Sequence, residues 1–431
     1  MRRLASAALL TILCVTRLAA GEEIPGAAQT RPVAIVNAIV HTITNGTITK
    51  ATVVFDKGRV GAVGTDAAPP QGADVIDAKG GHVYPGFIAP TSTLGLTEID
   101  AVRSTRDMAE TGAWNPNVTA ATAYNPDSEI IPTVRSNGVL LAHVTPVGGI
   151  VSGRSSVMRL DGWTREDIAV LSPSGLVVSW PWMDVSTAWW VRESPDEQRK
   201  KARERVQELY RFFDEARAYA SRKKNGVDSN VKDVRFEAMV DVVEGRVPVF
   251  IQAASRTQID AVLEFRRTYD LRIVLVDAAE ARLVADVLAK EKIPVILPRT
   301  HSLPFRDEDA FDAPFTLAAD LVKAGVMVAF SEDGAWQQRN LPLHAGSAMA
   351  YGLSRDDAER ALTLWPAMIL GISKDYGSIE VGKSATLFIS KGDALDALSN
   401  SVTYAVIDGR TVDLSNRHVR LSKKYRERYA R

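Results

Sequence analysis

Residues 249–297 read VFIQAASRTQIDAVLEFRRTYDLRIVLVDAAEARLVADVLAKEKIPVIL, and this stretch decides the fold. Val249 to Ala253 is a short apolar run of strand character, and Gln258 to Tyr269 follows with helical spacing. Arg272 to Val276 is again strand-like, Glu280 to Ala289 helical, and Ile293 to Leu297 strand-like. Beyond it, Thr316 to Ala324 reads as helix and Val326 to Phe330 as strand, with helical material after it. Strands that alternate with helices argue for parallel strands covered by helices.

Working outward, Gly86 to Pro90, Val139 to Val144 and Gly175 to Trp180 supply earlier strands, and Ser155 to Leu160 completes a set of eight. Eight such strands over this length predict an α/β fold of the (β/α)8 TIM-barrel type, spanning residues 86–374. The chain ends read differently. Val33 to Val40, Thr52 to Phe55 and Val60 to Val63 are β-rich around the turn Asp56-Lys57-Gly58. Thr386 to Ser390, Thr403 to Ile407 and Thr411-Val412 return to that character around Asp408-Gly409. The two ends, residues 31–85 and 375–415, thus predict one small sandwich-like β domain. A long helix should begin at Ser194, with Pro195 in its first turn, Glu197 closing a capping box, and a core stripe of Val206, Leu209, Tyr210 and Phe213.

With 52 basic and 52 acidic residues the net charge is zero, so bulk electrostatics gives no reason to expect a nucleic-acid partner or an anionic membrane. Arg2 and Arg3 precede an apolar run from Leu4 to Val15, and Ala19, Ala20 and Gly21 follow. That is the layout of a secretory signal peptide over residues 1–21, which predicts a periplasmic or secreted protein with no stable membrane span after cleavage. Cys14, the single cysteine, lies in this leader, so the remainder has neither thiol nor disulfide chemistry. Residues 416–431 form a basic tail, which suits a polyanion partner but is read first as a frayed, solvated terminus.

The remaining constellations carry less. His41, His82, His143, His301, His344 and His418 form no paired metal-ligand spacing. His143, near the end of a strand, and His301 could face the barrel mouth as acid/base groups, or be structural. Residues 148–155, Gly-Gly-Ile-Val-Ser-Gly-Arg-Ser, suit a glycine-rich loop over the mouth, with Arg154 and Arg135 contacting an anionic ligand. Trp180, Trp182, Trp189 and Trp190 cluster after a strand, either lining a pocket or packing a lid. No nucleophile elbow is present, so a serine or cysteine hydrolase is unsupported.

From Val33 onward the chain resembles the amidohydrolase superfamily, and its imidazolonepropionase-like branch in particular. The resemblance rests on an ordered set: Pro85-Gly86-Phe87-Ile88, Ala324-Gly325-Val326 leading to Glu332-Asp333, Arg339-Asn340-Leu341, Ala361-Leu362-Thr363 with Pro366-Ala367, Gly371, and Gly377-Ser378-Ile379-Glu380 with Gly382-Lys383. The family implies hydrolysis of non-peptide C–N bonds, of the cyclic amide type, at a catalytic metal on the barrel mouth. At the positions that would hold that metal the chain has Thr91 and Thr93 in place of a histidine pair, Gln252 on the fifth strand and Asp277 on the sixth. Only the aspartate after the last strand is kept, as Asp333. Hydroxyls and an amide are poor zinc ligands, so the expected metal is none and the family's zinc site is read as lost.

Two readings follow. In one, an exported hydrolase works through Asp333, Asp277 and His143, with Thr91, Thr93, Gln252, Arg135 and Arg154 binding a small-molecule substrate. In the other, the barrel is a non-catalytic envelope protein that binds a ligand or serves as a scaffold, as a pseudoenzyme. A homo-oligomer is compatible with both.

Overall fold

The computed structural model describes residues 24–226 and 232–430. The expected signal peptide, residues 1–21, and Cys14 lie outside the described residues. Five strands open the described chain: β1 (Val33–His41), β2 (Thr47–Asp56), β3 (Arg59–Gly64), β4 (Asp74–Asp77) and β5 (His82–Pro85). Eight more build the central domain: β6 (Phe87–Ser92), β7 (Val139–Val144), β8 (Val151–Arg159), β9 (Ala169–Ser179), β10 (Val249–Gln252), β11 (Ile273–Val276), β12 (Val295–Ile296) and β13 (Val328–Ala329). Three close the chain: β14 (Leu387–Ser390), β15 (Val402–Ile407) and β16 (Arg410–Thr411).

Strands from the two chain ends share one sheet in the order β16-β15-β14-β5-β1-β2-β3, with β4 paired to β1. Its inner face buries Ile35, Val53, Phe55, Val83, Leu387 and Ile389 in a core of its own. The seam against the barrel combines an aromatic cluster, Tyr84 and Phe388 of the sheet with Phe87 of β6, and a few polar contacts. The His41 ring stacks 4.0 Å from that of Tyr84, and His41 meets Glu359 of a barrel helix at 2.9 Å. The Tyr84 hydroxyl donates to Asp393 at 3.1 Å.

The second sheet runs β13-β12-β11-β10-β9-β8-β7-β6 and curls into a barrel. From β9 to β13 all pairs are parallel, and helices such as Arg256–Tyr269 and Ala313–Lys323 return the chain between strands. The first of these is capped by a reciprocal Ser255–Gln258 box. Helix Pro195–Lys224 begins as its sequence predicts, with a Ser194–Glu197 box, and buries Leu209 and Phe213.

One strand departs from the expected uniform βα repeat. β8 is antiparallel to both β7 and β9. Only residues 145–150 separate β7 from β8, whereas a parallel crossover needs about a dozen residues or more. The eight-stranded barrel is present, with its third strand reversed and a hairpin loop in place of a helix. Packing inside the barrel is tight at this point. A Cβ on Gly175 of β9 would lie 2.5 Å from the Phe250 ring, so the missing side chain is the space that ring occupies.

β12 and β13 are two residues each, and among the described residues no ladder joins β13 back to β6. A side chain bridges that gap. The buried Gln338 amide donates to the carbonyls of Thr91 (3.0 Å), Glu332 (2.7 Å) and Gly334 (2.9 Å). Ser92 adds a bond from its hydroxyl to Gly334 O at 3.3 Å. Removing one donor that serves several buried carbonyls leaves them unsatisfied. Gln338→Ala should therefore lower stability by about 2–3 kcal/mol in urea unfolding. The same truncation at its exposed neighbour, Gln337→Ala, should stay within about 0.5 kcal/mol of the parent.

Candidate functional site

The C-terminal ends of the strands enclose a cavity of about 220 Å³ at the barrel mouth. Thr91, Thr93, Gln252, Asp277 and Asp333 all line it. Ser92, Thr145, Ser179 and Glu332 add polar groups, and Phe250, Val177 and Val276 form the apolar part. The loop Thr145–Gly148 between β7 and β8 forms one wall, so the glycine-rich segment does reach the mouth. The two threonines lie at the end of β6 and just beyond it, where the chain is held by Leu94 N donating to Ser92 Oγ at 2.9 Å.

Asp277 is the most constrained member. It follows the last residue of β11 and adopts a left-handed backbone, φ +57°. Aspartate tolerates this conformation better than most residues but still at a cost. Its N–H donates to Ile296 O at 3.0 Å, and its carbonyl accepts from Ala279 N at 2.9 Å, which fixes the turn. Gln252 Nε2 donates to Asp277 Oδ2 at 2.8 Å. Burial pushes the Asp277 carboxyl up to about 6; the Gln252 bond pulls it down and the Asp333 carboxylate pushes it further up.

Asp333 stands opposite with its side chain 74% exposed, and Arg299 Nη1 lies 3.9 Å from Oδ2. Glu332, which the sequence does not single out, lines the cavity while being almost fully buried. His344 Nε2 donates to Glu332 Oε2 at 2.7 Å, and the Asp333 N–H donates to Oε1 at 3.0 Å. Burial works to raise the Glu332 pKa, but the imidazole and that N–H outweigh it and hold the carboxylate below its ordinary range. In the sequence it stands only as the neighbour of Asp333 within the family-like segment; the pairing with His344 is a tertiary contact.

Other expected site residues stand elsewhere. His143 is fully buried beneath the cavity, packed 4.5 Å from the Phe250 ring. Its Nδ1–H donates to Pro90 O at 2.7 Å and its Nε2 accepts from Ser174 at 3.1 Å. Both ring nitrogens are thus committed, and burial drives its pKa down to about 4. An acid/base role at the mouth does not fit this position. Arg135 lies on helix Ile130–Arg135, which leads into the start of β7, and it is buried against Asp161 (3.0 Å) and the carbonyls of Leu160 and Asp413. Arg154 lies on β8 but does not line the cavity. Burial lowers its pKa, and the opposing influence comes from Asp241 of helix Val234–Val243. Neither arginine lines the mouth.

His301 bonds Ser347 Oγ at 2.7 Å outside the cavity. Trp180 packs edge-on to Phe265 in the core, while Trp189 and Trp190 are exposed. A larger cavity of about 930 Å³ opens at the opposite end, among the strand starts at Pro248, Ile273, Pro294 and Val326. None of the expected site residues lines it. Barrel sites form at the C-terminal face, so the smaller cavity is the functional candidate.

The raised carboxyl makes a stability prediction. A group whose folded pKa exceeds its unfolded value stabilises the fold while protonated and loses that contribution as pH rises. For Asp277 the window runs from about pH 4, the unfolded value, to about 6. Asp277→Asn keeps a residue that accepts φ +57°. It should therefore unfold at higher urea than the parent at pH 7.5, by about 1–2 kcal/mol, and show little difference at pH 4.

The amidohydrolase family's sequence pattern matches residues 271–412. No curated protein matches the chain. Among solved structures, the amidohydrolase from Thermotoga maritima MSB8 superposes with a TM-score of 0.77 at 25% identity, covering 88% of this chain and 99% of that one. Molinate hydrolase is similar at a TM-score of 0.56 and 15% identity, covering 90% and 95%. Phenylurea hydrolase B gives 0.54 and 16%, covering 89% and 97%. The chain therefore has the fold of these amidohydrolases, a barrel beside a small sheet, and carries the amidohydrolase pattern over residues 271–412.

Proposed function

We propose that the barrel mouth hydrolyses a small C–N bond of the amide type and does so without the family's zinc. The observation that carries this reading is Asp277: a strained, cavity-facing carboxyl that titrates near 6 beside a second carboxylate. The donors present do not fit a catalytic zinc. Thr91 and Thr93 offer neutral hydroxyls, and Gln252 turns its amide nitrogen, a donor, toward Asp277. Among the described residues, no three His, Cys, Asp or Glu side chains stand together as a ligand set.

Asp277 can supply the proton chemistry itself. Ionised, it takes a proton from a water molecule as the water oxygen attacks the carbonyl carbon. Protonated, it returns that proton to the leaving nitrogen as the C–N bond breaks, giving a carboxylic acid and an amine, which exchange a proton in solution. Gln252 holds the carboxyl in place, Thr91, Thr93 and Ser179 offer hydroxyls to the substrate, and Arg299 places positive charge beside the two acidic residues that follow β13. A cavity of about 220 Å³ admits only a small substrate or one end of a larger one. Export to the periplasm, from the leader, and kinship with the imidazolonepropionase-like branch belong to the same reading.

The non-catalytic alternative, a ligand-binding barrel, is favoured by one observation: His143 and His344, two imidazoles close to the mouth, are committed to internal bonds. The two readings separate on turnover. Against a panel of cyclic and acyclic amides, kcat/KM should rise as pH passes through about 6, because the base form of Asp277 is needed. Asp277→Asn should lower it at least about 100-fold with little change in ligand affinity. Binding without turnover would leave the ligand-binding barrel. Elemental analysis of the purified protein should find substoichiometric zinc; near-stoichiometric zinc that Asp333→Ala loses would overturn the metal-free mechanism.

A further inference from the structure

The C-terminal helix, Arg417–Tyr429, has no buried residue. Its first turn is tied to the barrel. Asn416 caps it, accepting from Val419 N at 3.0 Å and donating to Ser136 Oγ at 2.9 Å. Arg420 pairs with Glu129 at 2.6 Å, and the His418 ring stacks 5.9 Å from Trp336. The turns beyond stand exposed. Along the helix Arg417, Arg420, Lys423, Lys424, Arg426 and Arg428 are set against a single acidic residue, Glu427, in a chain whose net charge is zero. Leu421, Tyr425 and Tyr429 recur every four residues and share one face, continuing from His418. Lys424 and Arg428 lie over the rings of Tyr425 and Tyr429.

We propose that this helix docks the protein on an anionic phospholipid surface, lying in the interface plane. Charge complementarity selects the occupant: a cationic helix is drawn to an anionic bilayer, and each basic residue adds to the attraction. The Leu–Tyr–Tyr face selects a bilayer over a nucleic acid. Such a stripe gains by entering the headgroup region with tyrosine at the interface, whereas phosphate backbones offer it no apolar partner. Long basic side chains on either flank can keep their stems along the stripe and their charges at the headgroups. Because the first turn is anchored, docking also orients the barrel. Asp333, Trp336, Arg339 and His418 line one crevice, so the loop that carries Asp333 sits beside the docked helix.

Sedimentation of the full chain with vesicles tests this. Vesicles of equal parts phosphatidylglycerol and phosphatidylcholine should be bound at least about tenfold more tightly than phosphatidylcholine alone. Raising salt to about 0.5 M should weaken that binding about tenfold. The triple variant Lys423→Glu/Lys424→Glu/Arg426→Glu should lose at least about tenfold. Tyr425→Ser/Tyr429→Ser should lose several-fold at low salt with all cations kept. All these side chains are exposed, and unchanged circular dichroism and urea midpoints would show that the variants fold. Equal binding to both vesicle types would overturn the proposal. So would a tyrosine variant that binds anionic vesicles like the parent while a single-stranded oligonucleotide is bound as tightly, because the helix would then be a general polyanion site.

Discussion

Closure of the barrel between its first and last strands is the constraint on which the site depends. β12 and β13 are two residues long and contribute few ladder bonds, and β13 does not pair with β6. The Gln338 amide supplies the missing connection, joining the carbonyl of Thr91 in β6 to those of Glu332 and Gly334 after β13. The same segments carry Thr91, Thr93, Glu332 and Asp333 into the cavity. With Ser92 Oγ and the Thr93 N–H, which also reach Gly334 O, the Gln338 side chain ties the closing of the fold to the lining of the cavity. Its amide nitrogen is fully used where unpaired carbonyls would be costly, while its own Oε1 is buried without a protein partner, so the net gain is less than the three bonds suggest.

Reversal of β8 shapes the neighbouring wall, where Thr145 N donates to Ser92 O at 2.9 Å. A parallel crossover there would cover the barrel with a helix and leave the mouth to a longer connection. The hairpin instead sends Thr145–Gly148 across the mouth as a short loop. Gly148 and Gly149, both at positive φ, allow the chain to turn there, and a Cβ on Gly149 would come within 2.9 Å of Gly112 O. The cavity is thus small because one wall is a tight loop and the opposite wall is a strand end followed by a strained aspartate.

Much of this is legible in the sequence because periodicity and turn chemistry are local. The strands from Val249 onward, the helix capped at Ser194 and the sheet shared by both termini all rest on patterns within a few residues. The direction of β8 is invisible to periodicity, although the short gap between Val144 and Val151 holds a clue: six residues cannot make a parallel crossover. Convergence of Thr91, Gln252, Asp277 and Asp333 follows from their place at strand ends. His143 and Arg135 escape the same logic for a different reason. They lie in strand or helix segments where packing sets the face they present, and a polar side chain turned inward has the same sequence signature as a site group. Glu332 is hidden because an acidic residue next to another looks redundant until its histidine partner is seen.

The histidines show how the chain has distributed its imidazoles. His41 meets Glu359 at the sheet–barrel seam, His143 bridges Pro90 and Ser174 inside the barrel, and His344 supports Glu332 from behind the cavity wall. Each stabilises a buried polar group, and none of the three lines the mouth. The mouth is left to hydroxyls, an amide and carboxylates, with no imidazole in its lining. In such a setting a carboxyl with an ordinary pKa would be fully ionised and a weak base. Asp277 differs because burial and the facing Asp333 raise it to about 6, and its left-handed backbone is held by two main-chain bonds. Strain and an elevated pKa both cost stability, and a fold retains them together most readily where ligand binding offsets the cost. That coincidence at one residue is why the mouth, and not the larger opening at the other end of the barrel, is where chemistry is expected.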